Sequence, residues 1–294
     1  MQIALVKCSK WDADKDIVLL QNYLESEGHN VSVPAWTDDI SWQDFDRIYI
    51  SSCWDYYLNI AAYKNWLKHL KRLAPKTLTF NAPDTILWNL HKELYLKELE
   101  DRDVRIVPTQ VITNAEEIES KLTPFYAAQS HYDDFVVKPS ISASSYKTNS
   151  ISSEKLISEA PAHICEILED TPVLVQPLIS DIRKNGEISL VFIDGDFCHA
   201  IVKTPQSGEF RCQSSFGGKV DHFQPSEELI ETAKQILDKL PFEPPLYARI
   251  DGVETADGFL LMEVELNEPY LFLEHNPDTL KTLARCLVGS TNRS

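Results

Sequence analysis

Ionic side chains at alternate positions in two neighbouring segments near the C-terminus are the strongest chemical signal in the chain. The set comprises Arg249, Asp251, Glu263, Glu265 and Asn267. Alternate residues of a strand point to the same side, so a hairpin with its turn at 255–258 brings three carboxylates, an amide and a guanidinium together. Carboxylates this close repel one another unless a hard cation lies among them. The pattern predicts a Mg²⁺ site completed by phosphate oxygens, with a solvated hairpin face as the alternative.

The residues between these ionic positions in the second segment are apolar. They are Leu260, Met262, Val264 and Leu266. By the same alternation we expect them to share the opposite face of the strand and to pack into a core. This apolar face, together with an Arg placed beside an Asp at the level of the two Glu residues, favours the metal site over the solvated face.

A loop of small polar residues follows a short apolar segment that ends in Lys138 and a proline. The loop, 140–148, includes Ser142, Ser144 and Ser145, whose amides and hydroxyls suit phosphate oxygens. Lys92, on a predicted helix, supplies a second ammonium group, although a surface position is the alternative for each lysine. The chain contains neither a Walker A sequence nor GxGxxG, so a nucleotide must be held by groups from separate elements.

Two other segments carry residues that suit a nucleotide or an acid. The apolar segment 173–179 is interrupted by Gln176 and a proline, as expected of a strand that leaves backbone groups free for an adenine edge or of an edge strand. Lys203 and Arg211 flank a turn, where they are placed to meet a phosphate and a carboxylate. A solvated turn is the alternative reading of this pair.

Composition limits the possible partners. The chain has 294 residues, 43% of them hydrophobic, and a formal net charge of −17. It is long enough for two or three associated lobes with sizeable cores. The negative charge disfavours nucleic acid and anionic membranes as partners, because both would be repelled at long range. An anionic nucleotide would then need local cations or a metal.

Cysteine usage and the N-terminal segment indicate a cytoplasmic protein. The six cysteines, at positions 8, 53, 165, 198, 212 and 286, form no CxxC pair or zinc-type spacing. They are expected to be free thiols in a reducing compartment. The N-terminal residues predict a buried strand instead of a signal peptide, and no apolar run is long enough to cross a bilayer.

Hydrophobic periodicity predicts a mixed α/β fold. Strands are predicted at 3–6, 31–34, 45–51, 105–111, 135–139, 173–178, 187–193 and 198–203, and helices at 14–27, 60–73, 85–99 and 226–240. The beginning of the chain is a β-α-β unit, which favours a small lobe with a mostly parallel sheet. We predict three lobes, at 1–80, 81–172 and 173–294.

Taken in order, these motifs resemble the ATP-grasp superfamily of carboxylate ligases from about residue 81 to the C-terminus. The matching residues are Lys92, Lys138 with its small-residue flap, Gln176-Pro177, Gly186-Glu187, Lys203-Thr204-Pro205, Gly208 to Arg211 with Gly217-Gly218, Arg249-x-Asp251 and Glu265-x-Asn267-x-Pro269. The chain is similar to the glutathione synthetase and ribosomal-protein glutamate ligase types. Through 53–56, 142–148 and 263–270 it is more similar to the cyclo-ligase type of D-cycloserine biosynthesis.

The resemblance implies an ATP-grasp fold, with ATP between the central and C-terminal lobes. It assigns ATP phosphates to Lys92, Lys138 and the flap serines, adenine to Gln176 and Leu178, the ribose side to Glu187, two Mg²⁺ ions to Asp251, Glu263, Glu265 and Asn267, and catalytic roles to Lys203, Arg211 and Arg249. An amino-acid-like substrate is expected at Trp54, Asp55, Tyr56 and Arg211. Capping of the lobe core is the alternative for the two aromatic residues. The flap departs from glycine-rich relatives and should be stiffer.

The function expected from this resemblance is an ADP-forming carboxylate–amine ligase that works through an acyl phosphate. Its substrate is a small amino-acid-like molecule, and cyclisation of a single compound such as O-ureido-D-serine is one form of the reaction. A ligase that joins two amino acids or tailors a peptide is the enzymatic alternative, and a non-catalytic nucleotide-binding protein is the alternative of another class. Relatives are often dimers, so a homodimer is a further expectation.

Overall fold

Three β-sheets, each covered by helices, organise the protein. The structure, a computed structural model, describes residues 1–206, 208–212 and 216–289. One sheet is parallel and two are antiparallel. The mixed α/β class predicted from the periodicity is confirmed. The three sheets of the described residues span 2–80, 110–177 and 187–265, and the lobe boundaries at 80 and 172 stay predictions.

The N-terminal sheet is fully parallel, in the order β2-β1-β3-β4. Its elements are β1 (Gln2–Val6), α1 (Lys15–Ser26), β2 (Asn30–Ser32), β3 (Arg47–Ile50), α2 (Ile60–Lys71) and β4 (Leu78–Phe80). Helix α1 begins where the sequence places it, because the Asp14 side chain accepts a hydrogen bond from Ile17 N at 2.8 Å. Apolar faces of α1 and α2 cover the two sides of this sheet.

The central sheet is antiparallel, in the order β5-β8-β6-β7. Two helices precede it, α3 (Pro83–Asn89) and α4 (Lys92–Glu100), followed by β5 (Gln110–Ile112), α5 (Ile118–Ala128), β6 (Asp134–Pro139), β7 (Asn149–Ser152), α6 (Leu156–Leu168) and β8 (Val173–Pro177). Helices α5 and α6 pack on one side of the sheet in a core of their own. The other side faces the C-terminal sheet.

The C-terminal sheet has five antiparallel strands in the order β11-β10-β9-β12-β13. Its elements are α7 (Asp181–Asn185), β9 (Glu187–Ile193), β10 (Asp196–Thr204), β11 (Lys219–Phe223), α8 (Glu227–Asp238), β12 (Tyr247–Thr255), β13 (Gly258–Glu265) and α9 (Pro277–Gly289). Helix α8 covers the sheet, together with α4 from the preceding lobe. The charged hairpin is thus the β12–β13 pair at one edge.

Three sequence predictions differ from the structure. The helix at 85–99 is two helices, broken at Leu90 and His91, so Lys92 begins α4 instead of lying on an exposed helix face. The strand at 105–111 shrinks to 110–112, because Ile106 makes an isolated bridge to Leu261 of β13. Strand β8 pairs with β6 in the central sheet, so we propose that the central lobe ends after Pro177 and not at 172.

Two buried asparagines tie the hairpin to the N-terminal half of the molecule. Asn81 Nδ2 donates to Tyr247 O at 2.9 Å and to Leu266 O at 2.8 Å. Asn89 Nδ2 donates to Val264 O at 2.7 Å, and its Oδ1 accepts from Leu266 N at 2.9 Å. These amides satisfy backbone groups of Tyr247 at the start of β12 and of Val264 and Leu266 at the end of β13. The end of the hairpin that carries the charges is therefore anchored to the segment 81–89.

A buried histidine on β10 gives a testable pH dependence. His199 bonds through Nδ1 to Thr279 Oγ1 at 2.9 Å, and burial lowers its pKa to about 4. Between pH 6.5 and 4, His199 binds a proton in the unfolded chain but not in the folded chain, so the free energy of unfolding rises with pH in this window. We expect acidification from pH 7 to 5 to cost about 2 kcal/mol through this residue. Urea unfolding of the wild type and His199→Asn at both pH values measures it; equal acid sensitivity of the two would contradict the assignment.

Two composition-based expectations can be compared with the structure. All six cysteines are free. In the part of the chain that the structure describes, none of the helices combines the length and the apolar character that crossing a bilayer requires.

Candidate active site

A cavity of about 920 Å³ lies where the three lobes meet. Its walls include the loop after β3, the loop after β6, the ends of β8, β9 and β10, and the charged face of the hairpin. Of the residues predicted from the sequence, it is lined by Trp54, Tyr56, Lys92, Lys138, Ser142, Ser144, Ser145, Gln176, Leu178, Glu187, Lys203, Arg211, Arg249, Asp251, Glu263, Glu265 and Asn267. Asp55 is the one exception.

The hairpin pairs in the register that the alternation implies. Arg249 lies opposite Glu265, and Asp251 lies opposite Glu263. A bulge then shifts the register between Asp251 and its neighbour. The expectation of one apolar face on the second strand is therefore wrong for Leu260 and Met262: these two pack against a small cluster beside the cavity, whereas Val264 and Leu266 enter the main core as expected.

Arg249 is the centre of the charge network. Its guanidinium donates to Asp251 from Nε at 2.9 Å and from Nη2 at 2.7 Å, and Nη2 also contacts Glu265 Oε1 at 2.6 Å. A further contact, Nη1 to Tyr270 O at 2.9 Å, fixes the plane of the guanidinium. Burial alone would raise the pKa of Asp251, but the pairing with Arg249 holds this pKa well below its usual range. Ser189 Oγ adds a hydrogen bond to Asp251 at 2.6 Å.

Two lysines from the central lobe neutralise Glu263. Lys138 Nζ lies 2.8 Å from Glu263 Oε1, and Lys92 Nζ lies 3.9 Å from Oε2. Burial alone would raise the pKa of Glu263, but the two ammonium groups lower it to about 2. Lys203 is paired in the same way with Glu187 and, at 3.4 Å, with Asp251. Each of these lysines therefore already lies beside a carboxylate on the floor of the cavity.

This pairing corrects one step of the sequence argument. The alternation alone predicts that a metal is needed for the carboxylates to lie together, yet Lys92, Lys138, Lys203 and Arg249 supply the compensating charge. Within residues 1–206, 208–212 and 216–289, no three Asp, Glu, His or Cys side chains form a ready-made metal site. The stability of the charged cluster therefore follows from its own ion pairs.

The oxygen donors nevertheless fit a hard cation. Burial raises the pKa of Glu265 to about 7, and the charges of Asp251 and Glu263 add to this rise while Arg249 opposes it. A divalent cation beside Glu265 would remove that penalty. Asn267 is buried, its Oδ1 accepts from Tyr63 OH at 2.6 Å, and its Nδ2 has no partner among the described residues. The donor set of carboxylates and an amide suits Mg²⁺.

The flap between β6 and β7 is folded over the cavity. Tyr56 OH and Lys92 Nζ donate to Ser142 O at 3.1 and 3.0 Å, and the Tyr57 and Tyr146 rings stack with centroids 4.7 Å apart. Ser144 and Ser145, with φ of 52° and 56°, adopt the left-handed conformation that glycine enters without strain. The flap thus keeps a glycine-like backbone without glycine.

An apolar compartment adjoins the charged floor. Leu178 and Met262 line it, and Gln176 bonds through Nε2 to Thr109 Oγ1 at 2.8 Å. Strand β8 lies between β5 and β6, but its pairing with β5 stops at Val175. On the β5 side, the backbone of 176–178 therefore makes no strand pairing. That arrangement suits a flat heterocycle between apolar side chains with a backbone edge beside it.

Arg211 lies on the cavity wall but is locally paired. Its Nη2 contacts Glu209 Oε2 at 2.7 Å, and its guanidinium lies 3.6 Å from the centroid of the Phe216 ring. Positions 213–215, between Gly208–Arg211 and Gly217-Gly218 of the predicted motif, lie outside the described residues, as does position 207 just before it. Arg211 is therefore near the site, with its charge offset by Glu209 and not by the hairpin.

The environment of Asp55 differs from the substrate-binding role predicted for it. It is buried, and its carboxylate accepts from Trp36 Nε1 at 2.6 Å, from Ser9 N and Oγ at 3.1 Å each, and from Lys10 N at 3.3 Å. These contacts hold the loop after β1 against the loop after β3. Asp55 is a structural residue and cannot bind a substrate ammonium without leaving them.

The structure adds site residues that the sequence did not single out. Glu268 lines the cavity, and its backbone O accepts from Trp54 Nε1 at 3.0 Å. Burial raises the pKa of Glu268 well above its usual range, and the charge of Glu265 adds to the rise. Tyr63, from α2, reaches Asn267 across the lobes. No alternation marks these residues, because they meet only through tertiary contacts.

Comparison with known proteins identifies the class to which this fold and site belong. Residues 92–274 match the family model for the ATP-grasp domain of prokaryotic glutathione synthetase, which covers more than half of the chain. Residues 3–79 match the model for the N-terminal domain of the D-cycloserine synthetase DcsG. The chain belongs to the ATP-grasp family, and it is an ATP-dependent ligase, as its sequence predicts.

Individual relatives narrow the comparison. The chain is 26% identical to the cycloserine biosynthesis protein DcsG of Streptomyces lavendulae over 94% of its own length and 93% of the relative's. It superposes on the crystal structure of DcsG with a TM-score of 0.87, at 25% identity, over 98% of this chain and 99% of the other. D-alanine–D-alanine ligase of Bacillus anthracis, in complex with ATP, shares the fold, with a TM-score of 0.68 at 14% identity over 98% and 96% of the two chains.

Proposed function

We propose that this ligase joins a carboxylate to an amine nitrogen through an acyl-phosphate intermediate and acts on a small amino-acid-like molecule. The observation that carries the proposal is the floor of the cavity, where Lys92, Lys138, Lys203 and Arg249 alternate with carboxylates beside an apolar compartment. The N-terminal lobe closes the opposite wall with Trp54 and Tyr56. A nucleotide and one small substrate are thus neighbours in one enclosed space.

Phosphorylation addresses the central difficulty of the reaction. A carboxylate resists attack because it is negatively charged and its oxide is a poor leaving group. Transfer of the terminal phosphoryl group of ATP to a carboxylate oxygen gives ADP and an acyl phosphate; attack by nitrogen on the carbonyl carbon then forms the C–N bond and expels phosphate, while the nitrogen loses a proton. Phosphoryl transfer needs mainly positioning and charge neutralisation from a protein.

The chain offers both requirements. We assign Lys92, Lys138 and the flap residues Ser142, Ser144 and Ser145 to the phosphates. Asp251, Glu263, Glu265 and Asn267 would hold magnesium, two ions in our proposal, which supply Lewis-acid charge to the phosphoryl oxygens. Lys203 is assigned to the neutralisation of this charged floor. Arg249 and Arg211 present planar donors, which suit the oxyanion of the tetrahedral intermediate.

The nucleoside assignments rest on the apolar compartment. Gln176 and Leu178 would contact the adenine, and Glu187 the ribose side. Closure of the flap supports an intermediate that must be protected from water, since Tyr57, Tyr56 and Lys92 all hold it over the cavity. In an open cavity, water would hydrolyse the acyl phosphate before the nitrogen could attack it.

Cyclisation of one substrate is the form of the reaction that we favour. The chain is similar over almost its whole length to a cycloserine biosynthesis protein, including the N-terminal lobe that forms one wall of the cavity. O-ureido-D-serine, which carries both the acid and the nitrogen, is therefore the first candidate. The two-substrate ligase stays as the alternative, supported by the shared fold with a D-alanine–D-alanine ligase.

ADP release measured with single compounds and with pairs tests the proposal. We expect O-ureido-D-serine alone to support turnover with ATP and Mg²⁺, and a cyclic product to appear in step with ADP. Turnover only when two amino acids are present would replace cyclisation by two-substrate ligation. ATP binding without ADP release for any single compound, pair or short acidic peptide would mean a nucleotide-binding protein without ligase activity.

A further inference from the structure

Glu268 has a carboxylate oxygen that the protein leaves without a partner. Its Oε2 is buried and makes no hydrogen bond within the described residues. The side chain lines the cavity at the position where β13 has ended and the chain turns towards the N-terminal lobe. A buried acceptor without a donor costs free energy, so its persistence beside a binding cavity calls for a ligand.

The other carboxylates of the cavity floor differ from Glu268 in this respect. Asp251 and Glu265 are held by Arg249, Glu263 by Lys138, and Glu187 by Lys203. Their charges are offset inside the protein and their positions are fixed. Glu268 is thus a carboxylate on this floor, within the part of the chain that the structure describes, with an oxygen still available to a cationic group.

The surroundings of Glu268 select the kind of cation. Trp54 Nε1 holds the Glu268 backbone at 3.0 Å, and both Trp54 and Tyr56 line the adjoining wall. Aromatic faces beside a carboxylate are a favourable environment for a compact ammonium group. Asp55, the other acidic residue of this loop, is occupied by Trp36 and the loop after β1. The ammonium function predicted for this wall therefore falls to Glu268.

We propose that Glu268 binds the primary ammonium group of an amino-acid-like substrate, with Trp54 and Tyr56 forming the wall of the subsite. This inference deepens the proposed function and rests on it, because it names the residue that recognises the amino group of such a substrate. A bound ammonium supplies the donor that Glu268 Oε2 lacks, and it gives the substrate a fixed orientation towards Arg249. Glu268 is a binding residue in this scheme and is neither the acid nor the base of the ligase reaction.

A matched pair of ligands tests the inference on the full chain. O-ureido-D-serine and its analogue with a hydroxyl in place of the α-amino group are titrated calorimetrically into the wild type with Mg²⁺ and a non-hydrolysable ATP analogue. We expect the wild type to bind the amino compound about 10- to 100-fold more tightly, as is typical for hydrogen bonds to charged groups. Glu268→Gln, which keeps the shape, should reduce the preference to about 3-fold or less.

Glu228→Gln is the matched control: it removes an exposed carboxylate on α8 and should keep the wild-type preference for the amino compound. An unchanged preference in Glu268→Gln overturns the inference, as does a wild type that fails to distinguish or to bind the two compounds. The ADP-release assay distinguishes failure of the ammonium subsite from failure of the proposed function. If the wild type turns over and Glu268→Gln keeps the wild-type ligand preference, only the ammonium subsite is refuted. If the wild type prefers the amino compound but releases no ADP, only the ligase reaction is refuted.

The thermal stability of the ligand-free variant gives a second readout. Because Glu268 Oε2 is buried without a donor, Glu268→Gln should have a Tm equal to or above that of the wild type. A Tm well below the wild type would mean that the carboxylate has a structural role, and it would overturn the assignment.

Discussion

Glu265→Gln should lower the kcat for ADP release about 100- to 1000-fold while leaving the fold intact. Glu265 is the hairpin carboxylate with the least internal compensation: burial raises its pKa to about 7, whereas the pKa of Glu263, next to two lysines, falls to about 2. The amide keeps the size of the side chain and an oxygen for Arg249. It removes the negative charge that would hold a metal, so phosphoryl transfer should fail and nucleotide binding should weaken less.

The measurement is a coupled ADP assay with magnesium titrated at saturating ATP. Glu254→Gln, farther along β12 and outside the residues that line the cavity, is the matched control and should retain wild-type turnover. The unfolding free energy of both variants, from urea titration, checks that the fold is preserved. Wild-type turnover by Glu265→Gln would remove the metal assignment.

Arg249→Met should have the largest effect on stability, a loss of about 3–5 kcal/mol. The guanidinium is buried and pairs with both Asp251 and Glu265, at 2.7 and 2.6 Å. Without it, Asp251 keeps Lys203, at 3.4 Å, as an ion-pair partner, and Glu265 keeps none among the described residues. Methionine fills most of the volume, so the loss reports charge more than packing.

A double-mutant cycle separates these causes. Adding Asp251→Asn to Arg249→Met removes one of the stranded charges and should recover part of the loss, which urea unfolding of the four proteins measures. Additive losses would instead mean that the two side chains stabilise the fold independently. Activity is expected to stay low in every variant, since both residues belong to the proposed site.

The hairpin was predictable because its information is local. Alternation places Arg249, Asp251, Glu263 and Glu265 on one face, and the short turn sets a register that the structure confirms at two pairs. The parallel N-terminal sheet and helix α1 follow from equally local signals. The bulge was not predictable, because it depends on how 260–262 pack under the cavity.

The parts of the site that sequence reasoning missed depend on long-range contacts. An aspartate beside two aromatic residues indicates a binding loop, but only the tertiary structure reveals that Trp36, Ser9 and Lys10 already use Asp55. Likewise, the break before Lys92 is made by contacts such as that of Asn89 with Val264 on β13. Periodicity carries no signal for such partners, which are far apart in the chain.

The way the cores are divided determines which part of the enzyme can move. Residues from α1, α9, β1, β9 and β12 share one apolar core. The Asp16 carboxylate also accepts hydrogen bonds from the backbone amides of Leu271 and Leu273, so the N-terminal and C-terminal lobes pack as one unit. The sheet of residues 110–177 has most of its apolar side chains in a separate core, and it meets the C-terminal sheet through Leu174 and through polar contacts such as that of Lys138 with Glu263. We therefore expect product release to require a rigid-body rotation of the central lobe away from the N-terminal and C-terminal lobes, which stay fixed relative to each other.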